Sequence, residues 1–339
     1  MRAVIMHSPG NVSVEDRPDP RIEQPTDAII RLAATCICGS DLWPYRGANE
    51  VHEAPMGHEY VGYVEEVGPD VKTVKVGDFV VGSFMASDNT CEICAAGYQS
   101  RCVHVVGMGG IGTQAEYARI PWADGTLVAT PAAPEDDLLP SYLAASDVLG
   151  TGWFAADAAQ VQPGKTVAVV GDGAVGLLGI LAAQQMGADR IIAMSRHADR
   201  QALAREFGAT DIVEERGHDG VAAVRDLTGG LGAHSVIEAV GTQESMMQAI
   251  RSTRPGGHVG FVGVSHGVEL PGDKLFASTV HLHGGPAPVR RFLPDLMRRI
   301  AAREIDPGKV FDLTLPLEQA AEGYRAMDRR EAIKVMLTV

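Results

Sequence analysis

The sequence has 339 residues, a length typical of two domains rather than one. Hydrophobic residues make up 45% and charged residues 21%, which is the balance of a globular protein with a sizeable core. The net charge of −14 disfavours a nucleic-acid partner, because phosphate binding requires a basic patch. No run of about 18 apolar residues occurs, so no segment is predicted to cross a membrane.

Residues 1 to about 147 contain short β-like runs separated by Gly and Pro, a pattern typical of an antiparallel, barrel-like domain. The chain starts with a strand at 2–6 and a turn at Pro9-Gly10, without the basic region and apolar stretch of a secretory signal. The further strands of this domain are predicted at 27–34, 60–68, 78–84 and 115–120.

From about residue 149 apolar strands alternate with helices, which predicts a parallel sheet with helices on both faces. Strands are expected at 166–170, 190–195, 235–241 and 258–263, and helices at 174–187 and up to Phe207-Gly208. A Pro/Gly-rich link at 284–288 leads to a helix near 291–303 and finally to a strand at 332–339, which is expected to pair with the first domain. The predicted domains are therefore 1–148, 149–284 and a returning segment, 285–339.

A glycine-rich turn, TVAVVGDGAVG, joins a predicted strand to a predicted helix and contains Gly171, Gly173 and Gly176. Such a motif alone is weak evidence, since a Gly-rich turn need bind no ligand. Here the required strand and helix flank it, as in a dinucleotide-binding fingerprint. The glycines let the backbone approach a pyrophosphate, whose charge is stabilised by the helix N-terminus.

The second strand of this region ends at Ser195-Arg196, about 20 residues beyond the glycines. An NAD site usually has Asp or Glu there, bonded to the ribose hydroxyls. A hydroxyl and a guanidinium would instead bind a 2′-phosphate, the latter through charge-assisted hydrogen bonds. The sequence thus favours NADP, and the alternative is that Arg196 is a solvated surface residue.

The cysteines all lie in the first third of the chain, at positions 36, 38, 91, 94 and 102. In a chain of this size without an export signal, such clustering favours metal ligation over disulfides and predicts a cytoplasmic protein. Cys38 belongs to ATCICGSDLW, and His58 follows about twenty residues later in GHEYVG. A thiolate and an imidazole are good zinc ligands, and a catalytic zinc takes three protein ligands and an open position.

The order CGSD, GHE, cysteine-rich lobe and GxGxxG extends over essentially the whole chain and resembles the zinc-containing alcohol dehydrogenases of the medium-chain dehydrogenase/reductase family. The resemblance implies a GroES-like β-barrel catalytic domain and a Rossmann cofactor domain. It also implies hydride transfer between a primary or secondary alcohol and its aldehyde or ketone with a nicotinamide cofactor, for which Ser195-Arg196 favours NADP(H). Relatives are commonly homodimers or homotetramers.

For the catalytic zinc, the resemblance implies that Cys38 and His58 are ligands. The third family ligand is a Cys, Glu or Asp shortly before the cofactor domain, and SDVLGTGWFAA supplies Asp147 there. A helix N-cap is the alternative role of Asp147. Glu59 matches a nearby carboxylate that can approach the zinc or replace its water, and Asp41 would orient His58 and fix its tautomer.

The lobe DNTCEICAAGYQSRC corresponds to a structural zinc site that has four cysteines at spacings of 3, 3 and 8 in relatives. Cys91, Cys94 and Cys102 are in phase with this pattern, whereas Asp88 occupies the first position. An aspartate oxygen can ligate zinc, so a mixed site is predicted, with an empty or weakened site as the alternative. Cys36 is assigned as a buried small apolar residue.

In this family zinc stabilises the alkoxide form of an alcohol, and the Ser40 hydroxyl is placed to pass the alcohol proton towards the cofactor ribose. Many relatives continue the relay through a His five residues after the zinc Cys, where this chain has Trp43. The relay therefore either ends at the ribose or passes to water, and a turn hydroxyl is the alternative role of Ser40. Phe84 and Trp43 are predicted to line an apolar substrate pocket, although both could be core residues.

Further cofactor contacts follow from the resemblance, and each of them could instead be structural. Lys334 occupies the position where relatives often place an Arg near the pyrophosphate. The predicted cofactor set is Thr151, Gly171, Gly173, Ala174, Val175, Gly176, Ser195, Arg196, Gly241, Gly263, Val264 and Lys334.

Three other functions share part of this pattern. Zinc-free quinone or enoyl reductases of the same superfamily lack the ligands that Cys38 and His58 supply. A polyol or sugar dehydrogenase shares the zinc and stays open as an alternative. A zinc-ribbon binding protein built on residues 88–102 does not explain the GxGxxG turn, and the acidic charge disfavours nucleic acid.

Overall fold

A computed structural model describes all residues from 1 to 339. Its strands are β1 (Arg2–Ser8), β2 (Asn11–Asp16), β3 (Ala28–Cys36), β4 (Ala54–Pro55), β5 (Tyr60–Val67), β6 (Phe79–Gly82), β7 (Met85–Ala86), β8 (Val106–Gly107), β9 (Tyr117–Ile120), β10 (Leu127–Ala129), β11 (Thr166–Val170), β12 (Arg190–Met194), β13 (Asp211–Val213), β14 (Ala233–Glu238), β15 (Thr253–Phe261), β16 (His281–Gly284), β17 (Leu313–Pro316) and β18 (Val335–Thr338). Its α-helices are α1 (Leu42–Tyr45), α2 (Glu92–Ala95), α3 (Ala123–Thr126), α4 (Leu139–Ala145), α5 (Val148–Ala158), α6 (Ala174–Gln185), α7 (Ala198–Glu206), α8 (Gly217–Leu227), α9 (Gln243–Ser252), α10 (Gly272–Ser278), α11 (Val289–Ala301) and α12 (Ala320–Asp328).

The chain divides into two compact units. Unit 1 comprises Met1–Gly150 and Pro288–Val339, and unit 2 comprises Thr151–Ala287. The sequence placed these divisions two to three residues earlier, after 148 and after 284. No helix combines the length and the apolar character needed to cross a membrane.

Unit 1 is built on a seven-stranded sheet in which β10, β6, β5, β3, β18 and β17 are neighbours in that order and β9 also pairs with β3. The last strand of the chain, β18, runs antiparallel to β3 with Met336 opposite Cys36, so the predicted return of the C-terminus is confirmed. Only β17 and β18 are parallel, because α12 forms the crossover that joins them. A second sheet contains β2, β1 and β4.

Two apolar cores fill unit 1. One lies within the large sheet and includes Ile30, Tyr60 and Val80. The other packs β1 and β18 against α12, where Tyr324 is fully buried among apolar side chains. This second core brings the beginning and the end of the chain together. It also contains residues that are close in sequence to the candidate ligands.

Unit 2 contains a six-stranded sheet with the order β13, β12, β11, β14, β15, β16, in which all neighbours are parallel. This is the doubly wound order of a Rossmann fold, as predicted. The central strand β11 is an unbroken apolar run with both faces buried, which is typical of a parallel sheet covered by helices.

Three strands of unit 2 are shorter at their carboxyl ends than the sequence predicted. β14 ends at Glu238 rather than 241, β15 at Phe261 rather than 263, and β12 at Met194 rather than 195. The Glu238 carboxylate explains the first difference, because its Oε1 accepts the backbone N–H groups of Val240 (2.9 Å) and Gly241 (2.8 Å) and turns the chain out of the sheet.

Candidate metal centres and cofactor turn

Cys38 lies just beyond the end of β3, at the start of a short 3₁₀ helix, Gly39–Asp41. The Asp41 Oδ2 accepts the backbone N–H of Cys38 at 3.0 Å and so fixes this turn. His58 and Glu59 directly precede β5, and Asp147 directly precedes α5. Three separate segments of unit 1 therefore supply the predicted catalytic ligands.

These residues converge on one point. One donor atom each from Cys38, His58, Glu59 and Asp147 lies within 4.8 Å of the others. The Asp147 Oδ2 lies 3.3 Å from His58 Nε2 and 4.0 Å from Cys38 Sγ. Although Asp147 occupies the position before a helix, its carboxylate faces the other donors. A set of sulfur, nitrogen and carboxylate donors at this separation fits a tetrahedral zinc ion.

The electrostatics of this cluster favour a bound cation. Burial raises the pKa of the Cys38 thiol, and the nearby Glu59 carboxylate raises it further. Burial alone would lower the pKa of His58, but the negative charges of Cys38 and Asp41 raise it well above its usual range. Both shifts reflect the negative charge gathered at this point, which a bound cation would offset.

Glu59 is buried beside the cluster, with Lys334 as its partner. The Lys334 Nζ donates to Glu59 Oε1 at 2.7 Å and to the Ile37 carbonyl at 3.2 Å. Both side chains are almost inaccessible, with exposures of 1% for Lys334 and 0% for Glu59. The second oxygen of Glu59, Oε2, has no hydrogen-bond partner. The cofactor role of Lys334 stays a prediction, and the structure adds a partner that the sequence did not indicate.

The other residues predicted for the catalytic centre lie around these donors. Asp41 Oδ1 is 3.5 Å from His58 Nδ1, the arrangement expected of a carboxylate that orients a ligating imidazole. The Phe84 ring stands edge-on to the His58 ring at 6.2 Å between centroids. Ser40, in the 3₁₀ helix, and Trp43, in α1, are both half-buried.

The second cluster lies in the loop around α2. One donor atom each from Asp88, Cys91, Cys94 and Cys102 lies within 4.8 Å of the others, with Cys91 Sγ and Cys102 Sγ 3.9 Å apart. Asp88 therefore stands where the sequence pattern placed it, next to the three thiols. None of the five cysteines of the chain forms a disulfide.

The loop itself sets the charge of these groups. Partial burial would raise the pKa of Asp88, but hydrogen bonds from the backbone of Thr90 and from His104 lower it below its usual range. The backbone N–H groups of Val103 and Cys94 lower the pKa of Cys91 to about 7. Burial raises the pKa of Cys94.

The glycine-rich turn connects β11 to α6 within unit 2. Gly171 has φ +116°, which other residues rarely adopt, and a Cβ on Gly176 would lie 2.0 Å from the Gly171 oxygen. Around Gly173, at the N-cap of α6, no heavy atom would meet a Cβ within 4 Å. The turn is thus tight where it packs and open where a pyrophosphate would approach, which fits a dinucleotide cofactor.

At the end of β12 the structure shows two residues that the sequence reasoning missed. The Ser195 hydroxyl donates to Asp172 Oδ2 at 2.8 Å, and Arg200 Nη1 donates to the Asp172 carbonyl at 3.1 Å. Arg196 is exposed. Asp172 could have been noticed because it lies inside the GxGxxG motif, and Arg200 because it lies in α7, four residues after Arg196.

The remaining predicted cofactor residues have structural roles of their own. A Cβ on Gly241 would lie 2.1 Å from the Val264 oxygen, and one on Gly263 would lie 2.2 Å from the Gly241 nitrogen. These glycines therefore allow two backbones to pass closely at the carboxyl edge of the sheet. Val264 is half exposed, whereas Thr151 is buried.

Two protein-family models match the chain: the alcohol dehydrogenase GroES-like domain over residues 24–132 and zinc-binding dehydrogenase over residues 174–301. The zinc-type alcohol dehydrogenase B of Aspergillus flavus is 35% identical over 99% of this chain and 81% of its own length. The NADP-dependent isopropanol dehydrogenase of Entamoeba histolytica is 32% identical over 84% of this chain and 81% of its own.

Among solved structures, the alcohol dehydrogenase TADH of Thermus sp. ATN1 superposes with a TM-score of 0.91 at 34% identity and covers 100% of both chains. The two family models and these relatives agree with a GroES-like domain and a Rossmann domain. Such relatives imply zinc, a nicotinamide cofactor and a small-molecule substrate. The chain belongs to the zinc-dependent alcohol dehydrogenases of the medium-chain dehydrogenase/reductase family.

Proposed function

We propose that this enzyme interconverts a primary or secondary alcohol and its aldehyde or ketone by hydride transfer with NADP(H). In this proposal Cys38, His58 and Asp147 hold the catalytic zinc. The observation that carries the proposal is the convergence of these donors and Glu59 within 4.8 Å. An open fourth position at such a zinc is what a substrate oxygen requires.

When bound, zinc supplies a Lewis acid for the substrate oxygen and the nicotinamide accepts or donates the hydride. The protein's own groups do the rest. Asp41 holds Nδ1 of His58 and leaves Nε2 to face the other donors. The Ser40 hydroxyl accepts the alcohol proton and passes its own proton on towards the cofactor ribose. Phe84, beside His58, and Trp43 form an apolar wall for the substrate.

Ser40→Ala is expected to lower kcat by about a hundredfold, because a positioned proton carrier contributes about 10²–10⁴-fold. Unchanged turnover would assign the Ser40 hydroxyl to the turn alone.

The NADP preference is supported by the groups at the end of β12. Ser195 and the exposed Arg196 stand where an NAD site usually has a carboxylate. The Asp172 carboxylate is nearby, but it already accepts the Ser195 hydroxyl, and Arg200 lies 3.5 Å from its Oδ1. Two guanidinium groups therefore offset one carboxylate, which favours a 2′-phosphate. The Entamoeba relative is named for NADP.

The position proposed for the rest of the cofactor is based on the glycine-rich turn in unit 2. We place the pyrophosphate at Gly171–Gly176, where Ala174 and Val175 begin α6. Further contacts are proposed from Thr151, Gly241, Gly263, Val264 and Lys334.

The cysteine-rich lobe is proposed to hold a second, structural zinc through Asp88, Cys91, Cys94 and Cys102. Four donors without an open position are typical of structural sites. The free cysteines also support a reducing compartment, and we place the enzyme in the cytoplasm as a homodimer or homotetramer.

The test of the reaction is a panel of primary alcohols, secondary alcohols, polyols and their carbonyl products, assayed with NADP and with NAD on zinc-replete protein. We expect about two zinc ions per chain and turnover of simple alcohols. A polyol as the only substrate would support the polyol dehydrogenase alternative. No hydride transfer with any compound, together with one zinc per chain, would contradict the proposal.

The cofactor preference has its own test. Arg196→Leu is expected to lower kcat/KM with NADP by about ten- to a hundredfold and to leave the value with NAD nearly unchanged, as expected for loss of a charged hydrogen bond. Arg190→Leu is the matched control, because Arg190 lies at the opposite end of β12 and pairs with Asp211. Equal efficiency of the unmodified enzyme with both cofactors would contradict the preference.

A further inference from the structure

Gln114 is a buried amide for which the proposed reaction has so far no use. Its exposure is 0%, and both ends of its side chain are engaged. Nε2 lies within hydrogen-bond distance of the Cys36 carbonyl (3.1 Å) and of Asp41 Oδ2 (3.2 Å), and it donates to both. Oε1 accepts the hydroxyl of Tyr324 at 3.0 Å. Because an unsatisfied buried amide is costly, such complete pairing indicates a specific position for this side chain.

These bonds form one continuous line to the metal ligands. Tyr324, in α12, bonds to Gln114, Gln114 bonds to Asp41, and Asp41 lies against His58 Nδ1 at 3.5 Å. The same Asp41 oxygen that accepts from Gln114 also accepts the backbone N–H of Cys38. Two candidate ligands thus depend on the orientation of one carboxylate, and Gln114 is a donor that holds it.

Gln114 is itself held firmly on both sides. Its N–H donates to the Met56 carbonyl at 2.9 Å, and its carbonyl accepts from Val4 N at 2.8 Å. Gly57, the residue before His58, has φ +97°, and a Cβ there would lie 2.5 Å from Gln114 N and 2.6 Å from Gln114 Cγ. The glycine of the GHE motif therefore admits Gln114 to the segment that presents His58.

The outer end of the line is equally fixed. Tyr324 has an exposure of 0% and stacks on Tyr45 with 5.4 Å between ring centroids. Its surroundings are apolar, so its hydroxyl gains more from Gln114 than it could in water. A buried hydroxyl that reaches from an apolar core to a buried amide calls for a reason beyond packing.

We infer that Gln114 and Tyr324 are positioning residues for the catalytic metal, which lock Asp41 and through it the ring of His58. The inference rests on the proposed zinc site at Cys38, His58 and Asp147. Partners that orient a ligating histidine commonly contribute about 10–100-fold to metal affinity or activity. Gln114 lies one hydrogen bond beyond Asp41, and Tyr324 lies two hydrogen bonds beyond it, so the effects of their substitution should decrease in that order.

Three variants test separately the hydrogen bonds that connect Tyr324, Gln114 and Asp41. Gln114→Glu keeps the shape and the acceptor for Tyr324 but replaces the donor to Asp41 by an oxygen. Gln114→Met keeps the length without polarity, and Tyr324→Phe removes one oxygen. Ser141→Ala is the matched control, because Ser141 is also buried in unit 1 and its hydroxyl bonds to Asp306, with no link to the metal ligands.

Two readouts report on the metal rather than on stability. The first is the absorption spectrum of the Co²⁺-substituted protein, taking only the bands that are absent from Cys38→Ser. The second is the rate at which zinc is lost to a chelator. Both Gln114 variants should shift those bands and release zinc about tenfold faster, and Tyr324→Phe about threefold faster, within the range of outer partners of a metal ligand. Ser141→Ala should change neither, even if it melts earlier.

Unchanged bands and unchanged zinc loss in Tyr324→Phe and in the Gln114 variants that fold would overturn the inference and leave the network a purely structural one. A different result tests the proposed function by itself. If Cys38→Ser retains the full metal content and the full Co²⁺ spectrum, the catalytic zinc site is misassigned, whatever the Gln114 variants do.

Discussion

In both donor clusters of unit 1 the four donor atoms lie within 4.8 Å of one another, but the two clusters are built from different parts of the chain. The lobe cluster takes all four donors from residues 88–102, and Asp88 accepts backbone N–H groups from its neighbours Thr90 and Cys91. The catalytic cluster takes its donors from positions 38, 58–59 and 147, and its buried counter-ion is Lys334. The lobe cluster is therefore formed within one loop, whereas the catalytic cluster forms only when distant segments of unit 1 fold together.

This difference teaches where each metal should matter. A short loop with partly exposed donors has little core of its own, so its order depends on the metal, as in structural zinc sites. The catalytic donors are instead held by β3, β5 and the network through Asp41 and Gln114. Loss of the lobe metal should therefore affect stability, and loss of the catalytic metal should affect activity.

The largest expected effect is that of removing one thiol from each cluster. Cys38→Ser should lower kcat by at least about a thousandfold, because the Lewis acid is lost, and should leave the melting temperature within a few degrees. Cys94→Ser should instead lose the lobe zinc and melt much earlier. Metal analysis and thermal unfolding of both variants test this, and equal destabilisation by the two would erase the proposed contrast.

The next effect concerns the buried ion pair beside the catalytic cluster. Lys334→Met leaves the Glu59 carboxylate buried without its cation and should lower the free energy of unfolding by about 3–5 kcal/mol. Adding Glu59→Gln should recover most of that loss, since the amide carries no charge. Denaturant unfolding of the single and double variants measures both, and a single variant as stable as the unmodified protein would show that the pair is dispensable.

A smaller effect distinguishes the two roles of Asp88 in the lobe. Asp88→Asn retains an oxygen for the N–H groups of Thr90 and Cys91 but is a poor zinc ligand. Asp88→Asn should lose the lobe zinc. It should be about 1 kcal/mol more stable than Asp88→Ala, which loses both the zinc ligand and the oxygen that accepts these N–H groups. Zinc content and melting temperature test this. Two variants that keep the lobe zinc would remove Asp88 from the ligand set.

The smallest contrast is in pH dependence. The pKa values of Cys38 and His58 are raised, so protons compete with zinc up to higher pH at the catalytic cluster. In the lobe the pKa of Asp88 is lowered and that of Cys91 is lowered to about 7, although burial raises that of Cys94. Below about pH 7 the Cys91 thiol also holds its proton, so the affinity of the lobe for zinc should fall more steeply there, by about tenfold more per pH unit, whereas the slope at the catalytic cluster should not change.

Chelator competition at pH 6, 7 and 8 measures this difference, with Cys94→Ser isolating the catalytic site and Cys38→Ser isolating the lobe. A lobe affinity that changes with the same slope above and below pH 7 would contradict this expectation.

Much of the architecture could be predicted because it depends on short, continuous stretches of sequence. The apolar run at β11 followed by the glycine turn predicts a Rossmann unit, and the short runs before residue 147 predict a β-rich unit. The lobe donors could be placed from the spacing that the family resemblance implies, since residues 88–102 form one loop. The end of β14 was predicted too late, because the Glu238 carboxylate that turns the chain is polar and resembles any other strand residue.

The sequence by itself determined the fold class and the candidate ligands, whose residue types and spacing carry the chemistry. Tertiary structure alone decided what surrounds them: Lys334 against Glu59, Tyr324 and Gln114 behind Asp41, and Arg200 beside Asp172. The first of these pairs joins residues 275 positions apart. A polar side chain in a strand or helix looks the same in sequence whether it faces solvent or a buried partner, because only the folded chain brings distant partners within hydrogen-bond distance.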